Sequence, residues 1–448
     1  MLTLQDRWMG AKARDTEALI ADCRRIARPL HRSADLDPLL EQIGNARYVL
    51  LGEASHGTSD YYMWRYRLSQ RLIREKGFSF IAVEGDWPDC YRVNRYVKGY
   101  PDSGATVREV LHAFERWPTW MWANEEIVAL AEWLRHHNAP PDEHRKIGFY
   151  GLDVYSLWDS MEAVIAYLDR IDPEAAQRAR ENYGCFEPYS GEAQEYAWAT
   201  MFVPTSCEEE VVSILRDLRS KLAVYDRDGH EATFNAEQNA LVVKNAETYY
   251  RTMVRGGPDS WNVRDRHMVE TLERLMQFHG PDAKAIVWEH NTHIGDARFT
   301  DMAEDGMQNV GQLVREKHLA EGVFLVGFGS YAGSVIAGTA WGAPMERMQV
   351  PTAQEGSWEA VLHRAQTQNQ VLLLSEFDDN SEAFTSRGHR AIGVVYNPAR
   401  ERYGNYVPSI LPRRYDAFLY IDASHAVRPL HIEPHPDGEP PDTYPWNV

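Results

Sequence analysis

The chain has 448 residues, 44% of them hydrophobic and 25% charged, with a net charge of −19. That length leaves room for one large domain or two ordinary ones around a substantial core. The negative balance excludes nucleic acid and anionic membrane surfaces as natural partners, because both would be repelled.

Residues Asp15-Thr16 open an amphipathic helix running to about His31, and a short helix is expected over Asp37 to Ile43. The apolar run Tyr48-Val49-Leu50-Leu51 follows and ends in Gly52-Glu53-Ala54-Ser55-His56-Gly57. The helical segment Asp60 to Lys76 comes next, with Tyr61, Arg65, Leu68 and Leu72 on one stripe. Phe78 to Val83 reads as a second strand, ending in Glu84-Gly85-Asp86-Trp87, and Pro88 sits in the first turn of a helix through Tyr96. Trp117 to Trp122 leads into a helix ending near His136, followed by a loop over Asn138 to His144. Lys146 to Leu152 is a third strand and ends in Asp153. From Asp172 to Gly280 the alternation of strand and helix lapses into helix, which predicts a helical insertion folding over the sheet's carboxyl edge as a lid. Strands resume at Ala283 to Trp288, ending in Glu289-His290-Asn291-Thr292-His293, and at Val323 to Phe328, ending in Gly329-Ser330-Tyr331. The runs Val371 to Leu374, Ala391 to Tyr396 and Ala417 to Ile421 predict a closing β-rich portion, and the tail from Pro434 is Pro-rich and irregular.

Near-continuous apolar strands separated by helices are the pattern of a mostly parallel sheet covered on both faces, in a single α/β domain over 1–448. Parallel strands bring Glu53, His56, Glu84, Asp153, Glu289, His290 and His293 to one rim, the edge where open α/β folds hold their ligands. Buried carboxylates are costly unless paired, so several polar strand ends argue for a site rather than for stability.

Cys23, Cys90, Cys185 and Cys207 show no C-x-x-C spacing and read as thiols in a reducing compartment. Met1 to Arg14 lacks an apolar core, and no stretch approaches the roughly 18 to 20 residues of a membrane span. A cytoplasmic protein is therefore expected.

The chain resembles the erythromycin esterase family. The resemblance is carried by Leu51-Gly52-Glu53-Ala54-Ser55-His56-Gly57, by Arg65, by Val83-Glu84-Gly85, by Arg264-Asp265 and by His290-Asn291-Thr292-His293. Their order and spacing match across residues 45–430. The resemblance implies hydrolysis of a macrolide's lactone ester without a metal, with His56 as the base that activates water. It also implies functional roles for Glu53, Arg65, Glu84, His290 and His293.

Opening a lactone with water requires a base, donors for the oxyanion and an acid for the leaving alkoxide. His56 fits the base, oriented by Glu53 or Glu84. Arg65 can hold a carboxylate or face the oxyanion, or be a surface ion pair. His290 and His293 share one face of a helical turn, and either completes the acid/base set or is structural. Asp153, Arg264, Asp265 and Glu289 stand behind these residues or touch substrate. No G-x-S-x-G elbow is present, and Ser55 reads as a helix-capping hydroxyl. The rival mechanism is a divalent metal held by Glu53, His56, Glu84, His290 and His293. A non-catalytic polyketide- or saccharide-binding protein is the other alternative. With 14 Trp, 23 Tyr and 14 Phe, the chain can wall a wide cleft for a bulky, largely apolar small molecule. Trp64, Trp87, Trp120, Trp122 and Trp261 lie near the motifs or on the insertion.

Overall fold

The apolar runs that end in polar turns are neighbours in one sheet. The computed structural model describes residues 13–140, 146–189, 196, 199, 206–225 and 229–431. The strands are β1 (Arg28–Pro29), β2 (Tyr48–Leu51), β3 (Phe80–Asp86), β4 (Gly148–Asp153), β5 (Ala285–Trp288), β6 (Val323–Gly338), β7 (Met345–Val350), β8 (Gln370–Leu373), β9 (Arg387–Arg390), β10 (Tyr406–Ser409) and β11 (Ala417–Ser424). The sheet runs β1-β8-β11-β6-β2-β5-β3-β4, with β7 paired to β6. From β11 to β4 every pairing is parallel, whereas β8, β1 and β7 join antiparallel. The fold is thus α/β with a mostly parallel central sheet flanked by helices. β9 and β10 form a separate antiparallel pair.

Alternate residues of each central strand feed two cores. Val49, Leu51, Ile81, Val83, Ile286 and Trp288 pack on one face. Tyr48, Leu50, Phe80, Ala82, Ala285 and Val287 pack on the other. Burial on both faces explains why these strands read as unbroken apolar runs. Register places Leu51 and Val83 on either side of Trp288. The polar residues that follow these positions therefore emerge at one level.

Helices Pro173–Tyr183, Glu208–Tyr225, His230–Met253 and Asp259–His279 fill the interval where the alternation lapses. With helix Leu157–Ile171 they build a third core around Val164, Leu218, Leu241 and Tyr249. Among the described residues of this insertion, those that line the cleft described below are Trp261 and Arg264, on Asp259–His279.

Several expectations are corrected. The first helix stops at Ile26, because Arg28 and Pro29 pair with β8 as an edge strand, the one place in a sheet that tolerates proline. β6 does not end at Gly329 but continues to Gly338, held by β11 and β7, so Gly329-Ser330-Tyr331 opens no site. Ala391 to Tyr396 is no strand; Ile392 and Val395 make isolated bridges to Ser55 and Gly338. Cys185 and Cys207 form a disulfide across the insertion, so these two are not free thiols, while Cys23 and Cys90 are free and buried. The loop expected at Asn138 to His144 lies partly, the Pro-rich tail wholly, and Met1 to Arg14 mostly outside the described residues. Among the described residues, no helix is long and apolar enough to cross a membrane.

Candidate active site

The turn after β2 is pinned from two sides. Gly52 lies so close to Asn291 that a Cβ there would sit 2.1 Å from its Oδ1, and a Cβ on Gly57 would sit 1.9 Å from the carbonyl oxygen of Ile336. Only glycine permits these approaches. Between them, Glu53 Oε1 faces His56 Nδ1 at 2.9 Å, and Arg65 Nη2 donates to Glu53 Oε2 at 2.6 Å. Glu53 and Arg65 are both buried, so Arg65 is not a surface ion pair. Its guanidinium lies over the rings of Tyr62 and Trp288, 4.4 and 4.7 Å from their centres. The hydroxyl of Tyr62 donates to the backbone carbonyls of His56 and Met121. This chain fixes the imidazole with Nδ1 on the carboxylate and leaves Nε2 for the cleft. Ser55 caps no helix; its hydroxyl bonds that of Thr58, the residue at the helix N-cap.

A second network gathers around Arg264. Its Nε and Nη2 donate to Asp153 at 2.9 and 2.7 Å, and Nη2 also donates to Glu84 Oε1 at 2.8 Å. Burial alone would raise the pKa of Glu84, but His293, His56 and Arg264 outweigh it and hold the carboxyl well below its ordinary value. Asp265, adjacent to Arg264 on the helix, places both oxygens 3.0 Å from His293 Nδ1. Burial opposes a charge on His293, yet Asp265 and Glu84 prevail and push its pKa up to about 10. His293 Nε2 faces Arg264 Nη1 at 2.9 Å and Glu84 Oε1 at 3.4 Å. The first contact requires a neutral ring and the second a charged one. With two carboxylates on the ring, the charged form is the one we assign, and Arg264 then keeps its bonds to Asp153 and Glu84. Trp261 stacks on His293, with ring centres 4.5 Å apart.

His290 completes the cleft floor. Its backbone N–H donates to Glu84 Oε2 at 2.8 Å, and its ring lies 4.9 Å from that of His56. Thr292 approaches His290 Nδ1 with its hydroxyl at 2.8 Å and its N–H at 3.3 Å. An Nδ1 that accepts puts the proton of the neutral ring on Nε2, which is buried without a partner among the described residues. Burial, with the neighbouring His56, lowers the His290 pKa well below the imidazole value, so the ring stays neutral. Asn291 donates to the carbonyl of Phe328 at 2.6 Å and ties this turn to β6. Glu289 is fully buried and both its oxygens lack partners among the described residues. Burial raises its pKa well above the carboxyl value, so it is a neutral acid. Among the described residues, no three His, Cys, Asp or Glu side chains are placed to share a metal ion. Arg264 fills the point at which a cation would gather Glu84, Asp153 and His293.

His56, Glu84, Asp153, Arg264, His290 and His293 line a cleft of about 770 Å³, part of it open to solvent, together with Trp122 and Trp261. Glu53, Arg65, Asp265 and Glu289 do not line it. The first three act through a residue that does, and Glu289 makes no such bond. Trp87 is not a substrate contact: it stacks on Tyr150 in the core of the far sheet face. Trp120 is equally buried, edge-on to Trp117, and Trp64 packs in the same core. The cleft also contains Asp86, Asp89, Arg116, Tyr155 and Trp341, none of them singled out from sequence. Alternation along β3 signals Asp86, two residues past Glu84.

A model of the family described as Erythromycin esterase matches residues 73–424. An Escherichia coli protein named erythromycin esterase type II is 22% identical over 372 residues, which cover 78% of this chain and 85% of that one. The crystal structure of a succinoglycan biosynthesis protein superposes with a TM-score of 0.75 at 22% identity, covering 93% of this chain and 100% of the other. An erythromycin esterase mutant in its open conformation gives a TM-score of 0.66 at 16% identity, covering 88% of this chain and 95% of that one.

Proposed function

Because the chain belongs to the erythromycin esterase family, we propose that it hydrolyses a carboxylic ester, a macrolide lactone being the substrate class that fits best, with His56 activating water. The observation that carries this reading is the buried chain Arg65–Glu53–His56, which presents one imidazole nitrogen to an aromatic-walled cleft. His56 Nε2 takes a proton from water as its oxygen bonds to the carbonyl carbon. The carbonyl oxygen becomes an oxyanion, toward which His290 Nε2–H donates from the cleft floor. Collapse of the tetrahedral centre breaks the C–O bond, and the leaving alkoxide takes the proton back from His56. Glu53 holds the imidazolium in place, and Arg65 keeps Glu53 from turning away. The Arg264 network fixes Glu84, which anchors the backbone of His290. A metal-independent reaction is part of the proposal, since Arg264 supplies the positive charge at the point a metal would need. The partner is a bulky, largely apolar small molecule, supported by Trp122, Trp261, Trp341 and Phe114 along the walls.

The test is mass spectrometry after incubation with hydroxylated macrolactones and simple esters. A product heavier by one water supports the reading. Binding without any such product would instead mark a binding protein.

A further inference from the structure

The wall of the cleft carries an ion pair that hydrolysis does not use. Arg116 lies in the irregular segment between helix Val107–His112 and the turn Thr119–Met121. Its Nε and Nη2 donate to Asp86 Oδ2 and Oδ1 at 2.5 and 2.9 Å. The guanidinium lies 5.1 Å from the centre of the Tyr155 ring, which also carries Arg264 at 4.8 Å. The pairing uses one edge of the fork. Nη1, on the other edge, has no hydrogen-bond partner among the described residues, and Arg116 lines the cleft.

Helix stability does not account for this arrangement. Asp86 occupies the N-cap position of helix Trp87–Lys98, where an aspartate ordinarily accepts from the first-turn N–H groups, yet its side chain makes no capping bond. The carboxylate is spent on the arginine instead. A bidentate clamp and an aromatic platform immobilise a flexible side chain at a cleft wall, which is how binding sites preorganise a donor.

We propose that Arg116, clamped by Asp86, is a specificity-determining residue whose open guanidinium edge binds a neutral carbonyl or hydroxyl oxygen of the substrate, away from the ester that reacts. Charge decides for a neutral oxygen over a carboxylate. Asp86 already balances Arg116 and Asp265 balances the charged His293, while Glu84 and Asp153 share the single cation Arg264. An anionic group would meet a net negative wall. The inference rests on the ester-hydrolase reading for its reaction but not for its binding.

The experiment compares a hydroxylated macrolactone with the unsubstituted ring, using wild type, Arg116→Gln and Arg116→Lys. Both variants should raise KM about tenfold for the hydroxylated lactone, leave kcat within about twofold, and change nothing for the unsubstituted ring. Arg116→Lys keeps an ion pair with Asp86, so it carries the test should Arg116→Gln fail to fold. An equal KM change on both lactones, or no change on either, overturns the proposal. If wild type hydrolyses neither lactone, the hydrolase reading fails, and calorimetric binding of the same two lactones decides the inference alone. Wild type should then prefer the hydroxylated ring and Arg116→Gln should not. Equal binding of the two rings, or none of either, contradicts it.

Discussion

Two charged clusters, one partly and one fully buried, sit at opposite ends of helix Trp87–Lys98, and they are finished differently. At its C-terminal end, Glu231 accepts from Lys98 at 2.6 Å, from Asn94 at 2.8 Å, from Tyr150 at 2.9 Å and also from Tyr100. Burial alone would raise its pKa, but Lys98 and the hydrogen bonds push it down to about 2. At the N-terminal end, by the cleft, the polar groups are bonded on one side and open on the other. His290 Nε2 and Arg116 Nη1, on two residues that line the cleft, have no hydrogen-bond partner among the described residues. Closed networks stabilise and leave nothing for a ligand. A network with unmet donors at a cleft gives up stability for a reaction.

That contrast can be broken by mutation. The largest effect on stability is expected from Arg264→Ala, which strands Asp153 without its cation and leaves Glu84 only His293. Chemical denaturation should show a loss of at least roughly 3–5 kcal/mol, the cost of breaking one buried ion pair. Glu231→Ala should cost a similar or smaller amount, since Lys98 keeps its bond to the Tyr150 hydroxyl, while kcat of the folded protein stays within about twofold. A Glu231→Ala protein that is stable but inactive would erase the distinction between the two ends. Glu53→Gln should lower kcat by roughly ten- to a hundredfold, less than loss of the base itself, because the water-facing nitrogen survives. Steady-state kinetics at a temperature where the variant is still folded would check it, since Arg65 loses its buried counter-ion and the melting temperature should fall.

A further effect, which vanishes at low pH, concerns Glu289. Its folded pKa lies above the ordinary carboxyl value of about 4.3, so the native state keeps a proton that the unfolded chain has lost at higher pH. Stability due to this group is therefore intact below that pH and falls as pH rises through the interval between the two values. Glu289→Gln removes the penalty. Its unfolding free energy should match wild type near pH 4 and exceed it above that, the gain growing by at most about 1.4 kcal/mol per pH unit until the folded pKa is passed. A gain that does not change with pH would mean that titration of Glu289 plays no part.

Much of this site was legible because parallel strands obey a simple rule. Apolar runs buried on both faces end where the sheet ends, and the first polar residues after them, Glu53, Glu84, Asp153 and His290, emerge together. Register then sets their level, with Leu51 and Val83 beside Trp288. What the pattern does not encode is direction across irregular chain. Arg116 sits where no periodicity holds, so nothing in sequence aimed it at Asp86. Trp87 and Trp122 look alike in sequence, but one follows β3 onto the far sheet face while the other closes the cleft. Four cysteines allow several pairings, and only the fold brings Cys185 to Cys207. The helical character of 173–279 was visible, but its packing beside the cleft follows from contacts between its helices and Leu157–Ile171 that spacing does not specify.

The central claim is that His56 activates water for ester hydrolysis. It is tested most directly by kcat of His56→Ala against wild type on a hydroxylated macrolactone, with product mass and melting temperature followed in parallel. A loss of roughly 10²- to 10⁴-fold in formation of the product heavier by one water, at an unchanged melting temperature, is the expected result. A folded His56→Ala enzyme that turns over at the wild-type rate would contradict it.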